Sequence, residues 1–516
     1  MKKHGGERNG DGFMDRISQL PQLILQHVLS FLSQKEAVQT SLLSKSWRYL
    51  WCTRPNIEFR ESRFTGNKET FMSVLDKTLQ GYHDQMLCIQ EFCVEISNID
   101  SVSESISLLE KWIPIVTMNM RLKTFNLSFS SNVTYFNLPV ILVVFESEFL
   151  HKLYLKRCML LSQKPLDMVL SKHLQTLSLK RVYIKDETFQ KIMSSCPFIE
   201  YVVLHKCEGL RIIKVNKGHN LKHFDFDDYR CNYIIKIDVP TIETIKIGGF
   251  PNWCDHRKYF PHLKSLHLKF VKLSAELFNN FSSNFPCLEE LSLWFCYGLD
   301  EFHLFSRSMK HLILALLGSI KAASMKAVID APNIVKFEYE GDIPGSISFT
   351  TTSTKWKSNI VVQSNGSFDD YTSSRCLKLN ELLKALSESE ISVNIANPPL
   401  LVLDDDGGLY EPVAVENLSL SGYYWPFSSH ARFLNCLFCV CHPRYVYAHP
   451  SFDEFLWKIL VTEREMRHYF WQRDLEEVSM EAFDENVNER SPECGLPGKH
   501  KNIRFRLKWI ELSDLP

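Results

Sequence analysis

The chain has 516 residues, with 59 Lys and Arg against 60 Asp and Glu, 45% hydrophobic and 23% charged. That mixture excludes a wholly disordered, collagen-like or coiled-coil protein, and a net charge of −1 removes bulk electrostatics as a route to nucleic acid or membrane. The length exceeds the ~250–300 residues at which one core stops growing, so several cores or a repeat array are required.

Residues 1–12 are polar and Gly-rich and read as a disordered tail with no secretory signal. The longest strongly apolar run, 138–145, falls far short of the roughly 20 residues a membrane span needs. Fifteen cysteines, an odd and scattered set, point to reduced thiols in nucleus or cytoplasm rather than a secreted disulfide framework. The sequon Asn132-Val133-Thr134 then carries no glycan.

Residues 13–60 read as three short helices. Pro21 suits a first turn, and Ile24, Leu25, Val28, Leu29 and Leu32 follow at helical spacing. Ser33 and Glu36 form a capping-box pattern before Ala37, Val38 and Leu42. Ser44 caps a third segment with Trp47, Leu50 and Trp51. So small a module cannot bury this much apolar surface internally. It either docks a partner or caps the domain that follows.

The Leu-Pro opening, Leu29-Ser30-Phe31-Leu32 and Leu43-Ser44-Lys45-Ser46-Trp47-Arg48 carry a resemblance: Leu20 to Trp51 looks like a plant F-box. Gln39 stands where the family usually has a basic residue, a surface departure. The resemblance implies a three-helix fold that docks a Skp-family adaptor and, through it, a cullin scaffold. Residues matching the adaptor-facing positions are Leu20, Pro21, Ile24, Leu25, Leu29, Leu43, Ser44 and Trp47. Which of them touch the adaptor and which fill the module's own core stays open at this level.

Residues 61–121 lead into internal repeats over 122–345. The pattern L-x-x-L-x-L-x-x-(C/N/apolar) starts at 122, 150, 174, 199, 221, 242, 263, 288, 309 and 334. These spacings lie within the ~20–29 residues of leucine-rich repeats. Pro197, Pro240, Pro261, Pro286 and Pro332 each stand two residues before a start, where proline ends the preceding element. Helical spacing after Asp186 and after Ser274 places helices in two linkers. The expected fold class is α+β: a small helical F-box followed by an irregular α/β leucine-rich-repeat solenoid, a horseshoe with strands on its inner wall.

Alternation along the strands turns the residues between the repeat leucines to solvent. Candidate substrate-binding positions are Lys152, Tyr154, Lys156, Arg157, Lys180, Arg181, Tyr201 and His205, then Asp225, Asp227 and Trp294. The surface they make is expected to grade from basic to acidic or aromatic, and exposed aromatics beside Arg suit binding hot spots.

Residues 346–516 read as a degenerate continuation with a terminal cap. Ser, Thr and Asn make 346–376 a long loop, with a helix over 377–387 and extended chain over 391–395. Asn397-Pro398-Pro399 breaks the chain, and strands lie near 415–420, 475–480 and 503–510. Cys436, Cys439, Cys441 and His442, with His449 near, have metal-like spacing but sit among apolar residues, which favours a buried strand with free thiols. Asp404-Asp405-Asp406-Gly407-Gly408 reads as an exposed acidic turn, without the alternating ligands of a calcium loop.

There is no Walker-type phosphate loop, H-E-x-x-H or G-x-S-x-G. The expectation is a non-enzymatic protein with no cofactor and no metal. The F-box resemblance implies the substrate-recognition subunit of an SCF-type ubiquitin ligase, binding an unknown protein target and neither nucleic acid nor membrane. The alternatives are a repeat-based scaffold or a small-ligand sensor acting outside a ligase.

Overall fold

A computed structural model provides the fold. It describes residues 20–32, 34–97, 102–119, 121–130, 135–161, 171–216, 220–230, 233–250, 259–273, 275–316, 325–363, 374–396, 411–421, 430–448, 456–462, 470–483 and 502–510. The 1–12 tail, Ser33, Ser274 and Asn132-Val133-Thr134 lie outside these residues, as do Asn397-Pro398-Pro399, the 404–408 turn and His449. The chain divides into one unit of Met1–Ile213 with Gly218–Leu221 and another of Lys214–Lys217 with Lys222–Pro516.

The first unit opens with helices α1 (Gln22–Ser30), α2 (Gln34–Thr40) and α3 (Lys45–Cys52). A parallel ladder follows, running Asn56–Arg60, Glu91–Ile96, Thr124–Phe129, Lys152–Lys156, Thr176–Lys180 and Tyr201–His205. It therefore begins at Asn56, well before the first repeat start legible at Leu122. Helices α4 (Lys68–Asp84) and α5 (Val102–Asn119) fill the long crossovers that parallel pairing demands. On α4, Phe71, Leu75, Leu79 and Tyr82 are buried at helical spacing. Asp76 accepts from Trp112 Nε1 at 2.7 Å and from Lys111 Nζ at 3.0 Å, clasping α4 to α5.

The second unit repeats the plan. Parallel neighbours run His223–Asp228, Thr244–Gly249, Ser265–Lys269, Glu290–Trp294, His311–Ala315 and Lys336–Gly341. The series continues through Lys357–Gln363, Glu390–Ala396, Val413–Ser421 and Cys441–Ala448. It ends antiparallel: Asn502–Trp509 pairs with Cys441–Ala448 and with Leu475–Phe483. Each repeat strand within 122–345 starts two residues after its sequence start, and its alternate residues are buried.

Proline does more than end an element. Ile199 N–H donates to Cys196 O at 3.4 Å, so Pro197 holds the second position of a β-turn that launches the strand. Leu263, Leu288 and Ile334 close the same turn onto Phe260, Phe285 and Ala331 at 3.2–3.3 Å, around Pro261, Pro286 and Pro332.

Helices appear at Asp186–Ser195, and at Ala275–Asn279 and Phe281–Asn284, where linkers are long enough. Linkers also form short second ladders: Phe136–Asn137, Cys158–Leu160 and Tyr183–Ile184, and again Glu301–Phe305, Lys326–Asp330 and Ser346–Thr350.

Several expectations for the last third are corrected. The loop expected over 346–376 holds strands Ser346–Thr350 and Lys357–Gln363, in which Ile347 and then the alternate residues Ser358, Ile360 and Val362 are buried. Residues 436–440 are helical, within His430–Val440, and the strand begins only at Cys441. The helix bonds its own backbone, so apolar residues all round a buried segment do not require a strand. Not all thiols are reduced: the Cys376 and Cys436 sulfurs are bonded, tying helix Ser374–Ala385 to helix His430–Val440.

Candidate functional site

The helical module is built from local capping. Pro21 O accepts from Ile24 and Leu25 N–H at 2.9 and 3.2 Å, starting α1. Ser44, extended at φ −160°, accepts from Trp47 N–H at 3.2 Å and starts α3. Thr53 Oγ1 donates to Tyr49 O at 3.0 Å at its end. Leu25, Leu29, Ala37, Trp47 and Leu50 form the buried core, with Leu32 and Trp51 packed against it.

The adaptor-facing set from the sequence is thereby divided. Leu25, Leu29 and Trp47 fill the module's core, while Leu20, Pro21, Ile24, Leu43 and Ser44 are exposed. On α1, Leu25 and Leu29 face inward, and Ile24, Val28 and Phe31 form a second apolar stripe that is exposed. A helix apolar on two faces needs covering on both. Val28, Phe31, Val38 and Leu42 were missed by motif matching, yet Phe31 and Leu42 keep 76% and 83% of their surface. The signal was present: Ile24, Val28 and Phe31 fall at i, i+4 and i+7.

On the first unit's strands, register sets the candidate substrate-binding residues in rows. Lys156 stands beside Lys180, and Lys180 beside His205. Lys152, Thr176 and Tyr201 form a parallel row. Lys152, Lys180, Arg181 and Tyr201 are exposed, and Tyr154, Lys156 and His205 half-buried. Burial, then the Glu91 charge, raises the Tyr154 pKa.

Arg157 departs from expectation: it is buried, not on the solvent face. It follows the strand at φ 62°, in the left-handed region, where strand alternation no longer applies. Its N–H donates to Lys180 O at 3.0 Å. Burial, then the neighbouring Arg181 charge, lowers its pKa. The same left-handed position recurs at Arg181, Lys206, Phe270 and Phe295, one residue past each strand. Such a conformation costs roughly 1–2 kcal/mol for an L residue, which the inter-strand bond offsets.

In the second unit the expected acidic surface is interleaved with bases. Asp225 pairs with Lys246 and Lys246 with His267, while Lys269 pairs with Trp294. Asp225, Asp227 and Trp294 are half-buried. Ser265 Oγ donates to Glu290 Oε2 at 2.9 Å, and His267 Nε2 lies 3.5 Å from the same carboxylate. Burial lowers the His267 pKa despite Glu290.

Farther along lies a cavity of about 860 Å³ bordered by His442, Arg444, Arg506 and Trp509. His442 stacks on Trp509 with ring centroids 3.9 Å apart, and burial brings its pKa down to about 4. The Cys436, Cys439, Cys441 and His442 group does not converge on one point: Cys436 is bonded to Cys376, and Cys441 Sγ donates to Leu437 O at 3.3 Å. Among the described residues no three His, Cys, Asp or Glu side chains gather as a metal site. No described helix is long and apolar enough to cross a membrane.

Comparison with known proteins matches these two regions separately. Residues 17–59 match the F-box domain model, and residues 83–253 the model described as the At1g61320/AtMIF1 LRR domain. Among relatives from Arabidopsis thaliana, the putative F-box/LRR-repeat protein At3g18150 is 29% identical over 53% of this chain and 52% of its own length. F-box/LRR-repeat protein 25 is 30% identical over 42% of this chain and 78% of its own length. F-box/LRR-repeat protein At3g26922 is 30% identical over 47% of this chain and 78% of its own length. The chain spans about half the length of the first of these relatives. An F-box match on the capped helices and a repeat match on the parallel strands, with relatives that combine both, place the chain in the family of F-box/LRR-repeat proteins.

Proposed function

We propose that this protein is the substrate-recognition subunit of an SCF-type ubiquitin ligase, acting in nucleus or cytoplasm. The observation that carries the reading is the doubly apolar helical module. Leu25, Leu29 and Trp47 complete its core, leaving Leu20, Ile24, Val28, Phe31, Leu42 and Leu43 uncovered. A Skp-family adaptor covers that face, and a cullin scaffold follows through the adaptor. The chain contributes proximity and orientation, not bond chemistry, and needs no cofactor or catalytic residue of its own.

The target is a protein with an acidic segment, held by Lys152, Lys156, Lys180 and Arg181 with Tyr154, Tyr201 and His205 among them. Arg157 supports this surface from beneath instead of presenting its charge. Affinity purification of the full chain tests both halves. The adaptor and cullin co-purify with wild type and are lost from Phe31→Ala/Leu42→Ala, whereas a Lys156→Glu/Lys180→Glu chain keeps them and loses its target. Retention of the adaptor by the first variant overturns the docking assignment. Retention of every bound protein by the second overturns the basic surface.

A further inference from the structure

Beside the helical module, the first unit holds a half-open cavity of about 440 Å³ between α3, strand Asn56–Arg60 and α4. That volume falls within the ~300–1,000 Å³ of small-molecule sites. Its wall is mainly apolar, with Trp51, Ile57, Phe59, Phe64, Phe71 and Val74. Gly81 on α4 also lines it, and a Cβ there would meet nothing within 4 Å, so the helix leaves open space where a side chain would stand.

The charge in this apolar setting is one-sided. Arg54, Arg60, Arg63 and Lys77 line the cavity against the single carboxylate of Glu58, which leaves three positive charges uncompensated. Glu58 is already taken by Arg60 Nε at 2.5 Å. Arg54 is only 9% exposed, and among the described residues its guanidinium has neither an ion pair nor a side-chain hydrogen bond. Its backbone is pinned by Tyr82 Oη, which donates to Arg54 O at 2.7 Å. Trp51 Nε1 is a buried donor with no acceptor among the described residues. Burying a cation with no ion pair is costly, and here burial lowers its pKa against the smaller opposing pull of Tyr82 and the Glu58 carboxylate.

From this juxtaposition we propose that the cavity binds a small amphipathic monocarboxylate, its carboxylate on Arg54 and its apolar body against Trp51, Phe59 and Phe64. The site is distinct from the repeat strands' candidate target surface and does not depend on ligase assembly. Arg54 and Trp51 supply the missing acceptor's donors, Gly81 supplies the room, and Arg63 and Lys77 at the exposed rim draw the anion in.

Isothermal titration of the full chain with sodium octanoate, against the neutral octanamide as isostere, tests the proposal. Octanoate should bind at least about tenfold more tightly than octanamide, the increment of one charge-assisted bond. Arg54→Met should erase that preference. Gly81→Leu, which fills open space with a better helix former, should abolish binding of both while leaving thermal unfolding unimpaired. Equal affinity for acid and amide, unchanged octanoate binding by Gly81→Leu, or no heat from octanoate with wild type would each overturn it.

Discussion

Replacing Phe31 and Leu42 together by alanine separates docking from folding. These side chains keep 76% and 83% of their surface. Full burial of a Leu or Phe side chain is worth about 1.5–3 kcal/mol. Discounting for incomplete covering and for side-chain ordering leaves about 1–2 kcal/mol each, or about 2–4 together. At about 1.4 kcal/mol per decade, that weakens adaptor affinity roughly 30- to 700-fold. Stability of the chain should change by no more than about 0.5 kcal/mol, because neither side chain packs in the core. Leu29→Ala is the counterpart. It removes one of the five residues Leu25, Leu29, Ala37, Trp47 and Leu50, and should cost about 2–5 kcal/mol of module stability. Biolayer interferometry against a purified Skp-family adaptor, beside urea unfolding of each variant, reads both effects. Adaptor affinity within twofold of wild type for the double alanine variant would refute the reasoning, as would a loss of stability matching that of Leu29→Ala.

Four further outcomes concern the second unit and the ladder turns. Burial holds the folded His442 pKa near 4, below the ~6.5 of an unfolded histidine. The unfolded state therefore takes up a proton first, and stability falls as pH drops from about 6.5 to about 4, by at most about 3 kcal/mol. In His442→Phe, urea midpoints compared at pH 7 and pH 4.5 should lose that component. Asp228 is buried, which alone would raise its pKa, but donors from Arg230 and Tyr233 outweigh burial and hold it below the usual carboxylate value. Its contribution is present above the unfolded Asp pKa and lost as pH falls through the folded one, so Asp228→Asn should flatten the acid limb and cost about 1–3 kcal/mol in urea titrations. Gly249, at φ 110°, lies so close to Asp228 O that an added Cβ would meet it at 1.7 Å. Gly249→Ala should cost at least about 2 kcal/mol by denaturant unfolding, and a neutral result would refute the assigned backbone geometry. Arg181 at φ 51° should tolerate Asn and lose about 1–2 kcal/mol as Val, measured the same way.

How much of this was legible in the chain depends on the period of each element. A half-buried strand repeats every two residues, so one L-x-L triplet per repeat marks a strand and its inward face. Recurrence of that triplet from Leu122 to Tyr339 located the strands closely. The strands at Asn56–Arg60 and Glu91–Ile96 were not legible, because α4 and α5 stretch the crossovers beyond the repeat spacing. Lys357–Gln363 was hidden by its Ser- and Thr-rich flank. The Cys376–Cys436 bond joins residues 60 apart, a pairing that spacing does not specify.

The sequence by itself determined the helical module, the repeat strands within 122–345 and the family, because caps, period and turn prolines are local. Tertiary structure decided which of the two apolar stripes on α1 turns inward, since both satisfy the helical period and only packing against Trp47 and Leu50 distinguishes them. It also decided that Arg157 lies under the surface while Lys156 reaches it, through one residue's left-handed backbone. And it placed Arg54 without an ion pair beside the open space at Gly81, a juxtaposition across 26 intervening positions that no local pattern encodes.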